Sequence, residues 1–259
     1  MFSPPSFLMN APLLRRLVPS ILRRYARMFK HRYVIERRMG ALFLIDQKNS
    51  VDRNLLIKGA WEPQQVETLK ALIAKHKRAG EKSIFLDIGA HGAMYSIIVA
   101  NENLADRIVA FEPEPTNLAQ LRANLFINHL LGRIEVIEKA ASDHTGRIPF
   151  FLAQEGNRGG SRMTENEPEI LIGKIEVDAA PMDAMVEFKD GFVTAKIDVE
   201  GSEMTVLAGM TNIIAGNRCL FQIESFDERF AELKSWLEAR GFAHLVTVDF
   251  DHFFLKRAV

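Results

Sequence analysis

Hydrophobic positions change period several times along the chain, and each change marks an element. Residues 84–86 form a short continuous apolar run that ends on Asp87. A run this short reads as a strand buried on both faces. Small residues follow from Gly89 to Ala93, and a helical pattern opens at Met94. Strand, tight turn and helix in that order bring a nucleotide-like ligand against exposed backbone N–H groups, and the turn needs small residues to allow the approach.

The alternation repeats downstream. Residues 106–112 read as a second strand ending on Glu112, broken by Pro113 and Pro115. Thr116 then caps a helix with Leu118, Leu121 and Leu125 on one side. A third strand spans 133–138, followed by the small residues 140–142 and an extended stretch at 148–152. Residues 153–176 are a polar, glycine-rich loop, long enough to suggest function. The strand at 191–198 ends on Asp198 and turns through 199–203 into a helix carrying Met204, Leu207 and Met210. Residues 218–223 give another strand, stopping at Glu224. Ser225 and Glu228 have capping-box spacing for a helix through Arg240, closed by Gly241. Two strand-like runs, 244–250 and 252–256, finish the chain.

Upstream, a helix starts at residues 61–63 and runs to about Ala79, with Val66, Leu69, Leu72 and Ile73 on one face and Gly80 as its stop. Residues 40–57 read as two extended stretches around a polar turn. Residues 13–38 carry Leu14, Leu17, Ile21, Leu22, Tyr25 and Met28 at helical spacing among many arginines, and residues 1–12 hold three prolines and no period. Strand and helix alternating from residue 83, closed by a tight strand pair, argue a doubly wound, mostly parallel α/β sheet with one antiparallel strand near the C-terminus. Ligands of such sheets bind beyond the C-terminal ends of the strands. Asp87, Glu112, Asp198 and Glu224 all fall at those ends. Like charges gathered on one rim repel, so a shared site explains them better than four independent turn acids.

Composition adds limits. A chain of 259 residues that is 47% hydrophobic can bury a large core. The net charge is zero, but residues 1–40 hold nine Lys/Arg against one acid (9 − 1 = +8), which leaves −8 on the remainder. A basic arm on an acidic body suits an anionic membrane surface or self-association better than nucleic acid. The lone cysteine, Cys219, has no partner for an intrachain disulfide, and no apolar run reaches the ~18 residues of a membrane span. The N-terminus lacks the pattern of a secretory signal, so a cytoplasmic protein is expected.

The chemistry narrows at the first turn. Glu112 follows Gly89 by 23 residues, the reach of a neighbouring strand end, where a carboxylate can accept both hydroxyls of a ribose. A pyrophosphate-cradling Gly-x-Gly-x-x-Gly would need glycines at 91 and 94, where this chain has His91 and Met94. A dinucleotide-dependent oxidoreductase is therefore the rival reading. The histidines lack metal-ligand spacing and no metal is expected from them; His144 reads as a solvated turn residue.

Four segments carry a family resemblance: Phe-Leu-Asp87-Ile-Gly-Ala-His-Gly-Ala-Met-Tyr-Ser, Val-Ala-Phe-Glu112-Pro-Glu-Pro-Thr-Asn117, Leu121-Arg-Ala-Asn124-Leu-Phe-Ile-Asn128 and Ala195-Lys-Ile-Asp198-Val-Glu-Gly-Ser-Glu203. Together, across about residues 59–225, they resemble the FkbM-family methyltransferases, a class I S-adenosylmethionine-dependent family. The resemblance implies a seven-stranded Rossmann-like domain over residues 59–259, preceded by a basic helical extension, 1–58. It also implies a cofactor site. Asp87, Gly89, Ala90, His91, Gly92 and Tyr95 would hold the methionine part, and Glu112 the ribose with Pro113 and Asn117 beside it. Ala141 and Ser142 would meet the adenine, and Glu62 belongs to a segment that closes over the ligand. The family's first turn usually reads Asp-x-Gly-Ala-Asn-x-Gly, and this chain departs from it at His91 and Ala93.

The implied reaction is O-methylation of a small-molecule, sugar or glycan-like acceptor. Asp198 is the leading candidate for the base. Glu200, Glu203 and Glu224 are alternatives for base, acceptor orientation or metal ligation, and Lys196 is a strand residue whose ammonium pairs with an acid or touches the acceptor. For Glu203 the structural alternative is an acid placed in the first turn of its helix. A methyltransferase-like domain that binds a partner without turnover is the non-enzymatic alternative.

Overall fold

The structure, a computed structural model, describes residues 32–163 and 171–257. In chain order, a hairpin of β1 (Tyr33–Arg38) and β2 (Ala41–Asp46) leads to helices α1 (Ser50–Lys58) and α2 (Pro63–His76). Next come β3 (Ser83–Ile88), α3 (Met94–Asn101), β4 (Arg107–Phe111), α4 (Pro115–Ile127) and β5 (Glu135–Ile137). Then β6 (Ala140–Ser142), β7 (Gly146–Ala153) and β8 (Leu171–Pro181) form a small sheet, with a 3₁₀ turn at Glu155–Gly160. The chain continues through α5 (Met182–Met185), β9 (Phe192–Ile197), α6 (Glu203–Ala208), α7 (Thr211–Gly216) and β10 (Arg218–Glu224). It ends with α8 (Asp227–Glu238), β11 (Phe242–Val248) and β12 (Asp251–Lys256).

Seven strands build the central sheet in the order β11-β12-β10-β9-β3-β4-β5. Neighbours from β10 to β5 pair parallel, while β12 runs antiparallel to β10 and β11. This is the doubly wound sheet that the strand–helix alternation implied, with the seven strands that the resemblance implied. Every residue of β3 and β9 is buried, which is why both read as continuous apolar runs rather than alternations. On one face α2, α3 and α4 pack with Leu69, Ile97, Leu121 and Leu125; on the other α6, α7 and α8 pack with Leu207, Ile214 and Leu237. Among the described residues, no helix is long and apolar enough to cross a membrane.

The structure corrects several element assignments. Residues 33–38, expected as the end of a helix, are a strand with alternating burial; the expected helix otherwise lies outside the described residues. Residues 55–57, expected as extended, lie in α1, which starts after Asn49 and stops at Gly59 with φ +82°. Three consecutive apolar residues do not distinguish strand from helix, and the terminal residues decide it. The cap of α4 is Glu114, not Thr116: its carboxylate accepts from Thr116 N and Asn117 N. Helix α8 starts after Phe226, so Ser225 does not occupy its cap position.

The hairpin and α1 bury Phe43, Ile45 and Leu55 in the same core as α2–α4. They dock through side-chain amides of α4. Asn128 Oδ1 accepts from Leu42 N (2.9 Å) and Asn128 Nδ2 donates to Leu42 O (2.7 Å). Asn124 Oδ1 accepts from Leu44 N (2.7 Å), and Gln120 Nε2 donates to Leu44 O (2.8 Å). Residues spaced by four lie along one helix face, so this stripe pairs with β2 as a third strand would.

Candidate active site

A cavity of about 220 Å³ opens at the C-terminal ends of β3, β4, β9 and β10. Its floor is the turn after β3. Gly89 has φ +83°, and a Cβ there would lie 1.9 Å from the carbonyl oxygen of Asp198, so only glycine fits. His91 and Ala93 also sit at positive φ, +46° and +61°. That conformation favours Asn and Gly, which gives the physical reason for the usual family residues at both positions. Ala93 lacks a capping side chain at the start of α3, and Asp87 supplies one from β3: its Oδ2 accepts from Ser96 N (3.0 Å) and Ser96 Oγ (2.6 Å).

The turn's N–H groups are largely spent within the protein, unlike the ligand cradle anticipated from strand–turn–helix order. Gly89 N and Ala90 N donate to Phe111 O (3.0 and 2.9 Å), and His91 N donates to Glu112 Oε2 (2.8 Å). The other oxygen of Glu112 accepts from Glu114 N at 2.9 Å. Glu112 thus ties the two loops together, with a further bond from the Asn117 side chain, and three bonds leave one of the carboxylate's four lone pairs. Burial pushes its carboxyl up to about 7 despite those bonds. The His91 ring is held by Asn49, whose Nδ2 donates to Nε2 at 3.2 Å. Burial and then the Arg158 charge lower the ring to about 4, so it is neutral and can accept that bond.

On the opposite wall, Lys196 of β9 donates to Asp198 Oδ2 (2.9 Å), lies 4.0 Å from Asp251 Oδ1, and sits 5.0 Å from the centre of the Tyr95 ring. Tyr95 donates to Glu62 Oε2 (2.8 Å) and accepts from Gln222 Nε2 (3.0 Å), which also donates to Asp251 (2.7 Å). Burial alone would lower Lys196, but Asp198, Glu62 and Asp251 outweigh it and hold the ammonium charged. Burial likewise works against the Asp198 anion, and the Lys196 charge with a bond from Glu224 reverses this, leaving Asp198 below the usual range. The same Asp198 charge, then burial, raises Glu224 far above its ordinary value, so Glu224 carries the proton of the pair. One carboxylate oxygen each of Asp198, Glu200 and Glu224 lies within 4.8 Å of the others. Lys196 and the proton on Glu224 offset part of that group's charge.

Of the residues anticipated from the sequence, Glu62, Asp87, Gly89, Ala90, His91, Gly92, Tyr95, Glu112, Pro113, Asn117, Ala141, Lys196, Asp198, Glu200 and Glu224 line this cavity. Ser142 and Glu203 lie outside its lining. Ser142 is buried behind it, where its carbonyl abuts Gly209, and Glu203 Oε1 holds Gly201 N at 2.7 Å. The unforeseen wall comes from Asp52 and its neighbours on α1, with Asn157, Gly159 and Ser161 from the 3₁₀ turn and after it. The two segments meet where Ser50 Oγ donates to Asn157 Oδ1 (2.9 Å), and Arg158 fastens the turn to Asp46 Oδ2 (2.6 Å) and Gln120 Oε1 (2.5 Å). A polar residue on a short apolar helix and a glycine-rich loop carry no local signal of that meeting.

Among the described residues, seven carboxylates line the cavity against two lysines, Lys139 and Lys196. An anionic wall with its turn N–H groups already bonded disfavours phosphate and suits a cationic ligand rich in hydrogen-bond donors.

A model of the methyltransferase FkbM domain matches residues 87–243. The 31-O-demethyl-FK506 methyltransferase FkbM of Streptomyces tacrolimicus is 24% identical over 198 residues, which covers 64% of this chain and 75% of that protein. A crystal structure of methyltransferase FkbM from Methylobacillus flagellatus aligns at TM-score 0.43 and 17% identity over 79% of this chain, which spans 59% of the length of that one. M. jannaschii TYW2 in complex with AdoMet aligns at TM-score 0.46 and 14% identity, over 88% of this chain and 85% of that one.

Proposed function

We propose, for a chain that belongs to the methyltransferase FkbM domain family, that it transfers the methyl group of S-adenosylmethionine to a hydroxyl oxygen of a small-molecule, sugar or glycan-like acceptor. The observation that carries the cofactor assignment is the wall itself. Seven carboxylates face a cavity whose turn amides are taken, which matches a ligand bearing a sulfonium, an ammonium and a ribose diol and mismatches a pyrophosphate. An oxygen acceptor is supported by the name of the Streptomyces relative, a 31-O-demethyl-FK506 methyltransferase.

When bound, S-adenosylmethionine supplies an electrophilic methyl on sulfur. The protein's part is to bind, orient and handle the acceptor's proton. Glu112 has a lone pair left for a ribose hydroxyl while its other bonds fix the turn. Asp198, ionised through Lys196, is the acceptor of the hydroxyl proton, and Glu224 donates to it and holds it in place. Such a low carboxylate is a modest base, so its main effect is to align the hydroxyl, with proton removal following as the bond to oxygen forms. The buried Glu62–Tyr95–Gln222–Asp251 chain keeps Lys196 against Asp198.

The test is incubation of metabolite and glycan extracts with the protein and methyl-labelled cofactor, read by mass spectrometry. A labelled O-methyl product with release of S-adenosylhomocysteine supports the reading. Label on nitrogen or carbon alone would overturn the acceptor chemistry.

A further inference from the structure

We propose that Asp52, on α1, binds the cofactor directly, taking a hydrogen bond from a donor group of the adenosyl ligand. This extends the S-adenosylmethionine reading above and rests on it. Asp52 lies upstream of residues 87–243, in a segment whose sequence carries no motif of the site.

Four observations converge. The Asp52 side chain is only 7% exposed and lines the cavity. Both of its hydrogen bonds go to one oxygen: Oδ2 accepts from Asp46 N (2.9 Å) and Gln120 Nε2 (2.7 Å), and Arg158 lies 4.0 Å from the same atom. Oδ1 has no hydrogen-bond partner among the described residues. On the same side of α4, less than a turn before Gln120, Asn117 also lines the cavity and has a buried Oδ1 without a partner. Asn49, at the start of α1, holds His91 of the cofactor turn, so α1 is fixed against the part of the pocket that the methionine end would occupy.

The buried Asn117 oxygen and the open Asp52 oxygen on the same cavity wall are two acceptors left for a ligand's donors to meet. An adenosyl ligand carries several donors, in its ribose hydroxyls, its exocyclic amine and its ammonium. Burial raises Asp52 to about 6, so it is mostly ionised at neutral pH and its bond to a donor is charge-assisted. Arg158 anchors the segment through Asp46 and Gln120, so Asp52 is already in place before a ligand arrives.

Asp52→Asn separates this role from a structural one. Its carbonyl oxygen can keep the bonds from Asp46 N and Gln120 Nε2, while an NH₂ group replaces the acceptor facing the cavity. Titration calorimetry with S-adenosylhomocysteine at neutral pH should show a dissociation constant raised ~10–100-fold, with the ligand-free melting temperature no lower than the parent's. A folded D52N protein that binds within about twofold of the parent overturns the assignment. If D52N does not fold, amide exchange in the parent decides: S-adenosylhomocysteine should slow exchange across residues 50–55, and unchanged exchange there overturns the proposal. Failure of the parent itself to bind S-adenosylhomocysteine overturns the cofactor reading and this assignment with it. Parent binding with unaffected D52N removes this assignment alone.

Discussion

At the scale of single residues, the site is made of groups held in unfavourable states by their neighbours. Glu112 is the clearest. Its folded-state value, about 7, lies above its ordinary 4.5, so between those pH values the native protein binds more protons than the unfolded chain. Stability of the ligand-free protein should therefore fall as pH rises through that window. Glu112→Gln removes the titration, so the fall in stability between those pH values should flatten in the variant; its NH₂ can no longer accept one of the two backbone N–H groups, and it should bind S-adenosylhomocysteine ~10–100-fold more weakly. Thermal unfolding and calorimetry on the same samples check both halves. Asp198→Asn should leave S-adenosylhomocysteine affinity nearly intact and cut turnover by ~10²–10⁴-fold; an active variant would remove Asp198 from its role. Gly89→Ala would drive a methyl into the Asp198 carbonyl, and chemical denaturation should show a loss on the order of 3 kcal/mol or more. These strand-end residues were legible because a fully buried strand writes itself as an apolar run and its terminal carboxylate stands out. Asp52 was not, because nothing local separates it from any polar helix residue, and its burial depends on Gln120 and Arg158 far along the chain.

Elements show where sequence patterns mislead. Residues 55–57 look like a strand because three adjacent apolar side chains fit either geometry, and the decisive stop, Gly59 at φ +82°, lies outside the run. The hairpin's partner was equally hidden. Gln120, Asn124 and Asn128 read as polar residues on a helix, whereas they hold the backbone of β2. Asn128→Ala takes away both bonds to Leu42 and leaves its half-buried N–H and carbonyl unmatched, which should cost about 2 kcal/mol in denaturant unfolding. Arg158→Met is expected to act differently. It frees the 3₁₀ turn from Asp46 and Gln120, so S-adenosylhomocysteine should bind more weakly and residues 155–160 should be cut faster by protease.

Over the whole molecule, a single pocket draws on the strand ends of the sheet, on α1 before it and on the small sheet's loop after β7. The mostly parallel direction of the strands was legible in the alternating elements, since right-handed crossovers leave few topologies, whereas their number rested on the family resemblance. The extra wall could not, because it depends on segments more than a hundred residues apart meeting at Arg158 and Asp46. The buried thiol of Cys219, raised by burial to about 12, stays protonated and plays no part in this chemistry.

The amide stripe on α4 also bears on how the protein is made. Leu42 leaves the ribosome 86 residues ahead of Asn128, which completes its hydrogen bonding. Docking of the hairpin must wait until α4 has emerged and coiled, and closure through Arg158 waits longer still. A nascent chain paused between those points would present a two-stranded ribbon with both margins unpaired, open to chaperones and to other growing chains.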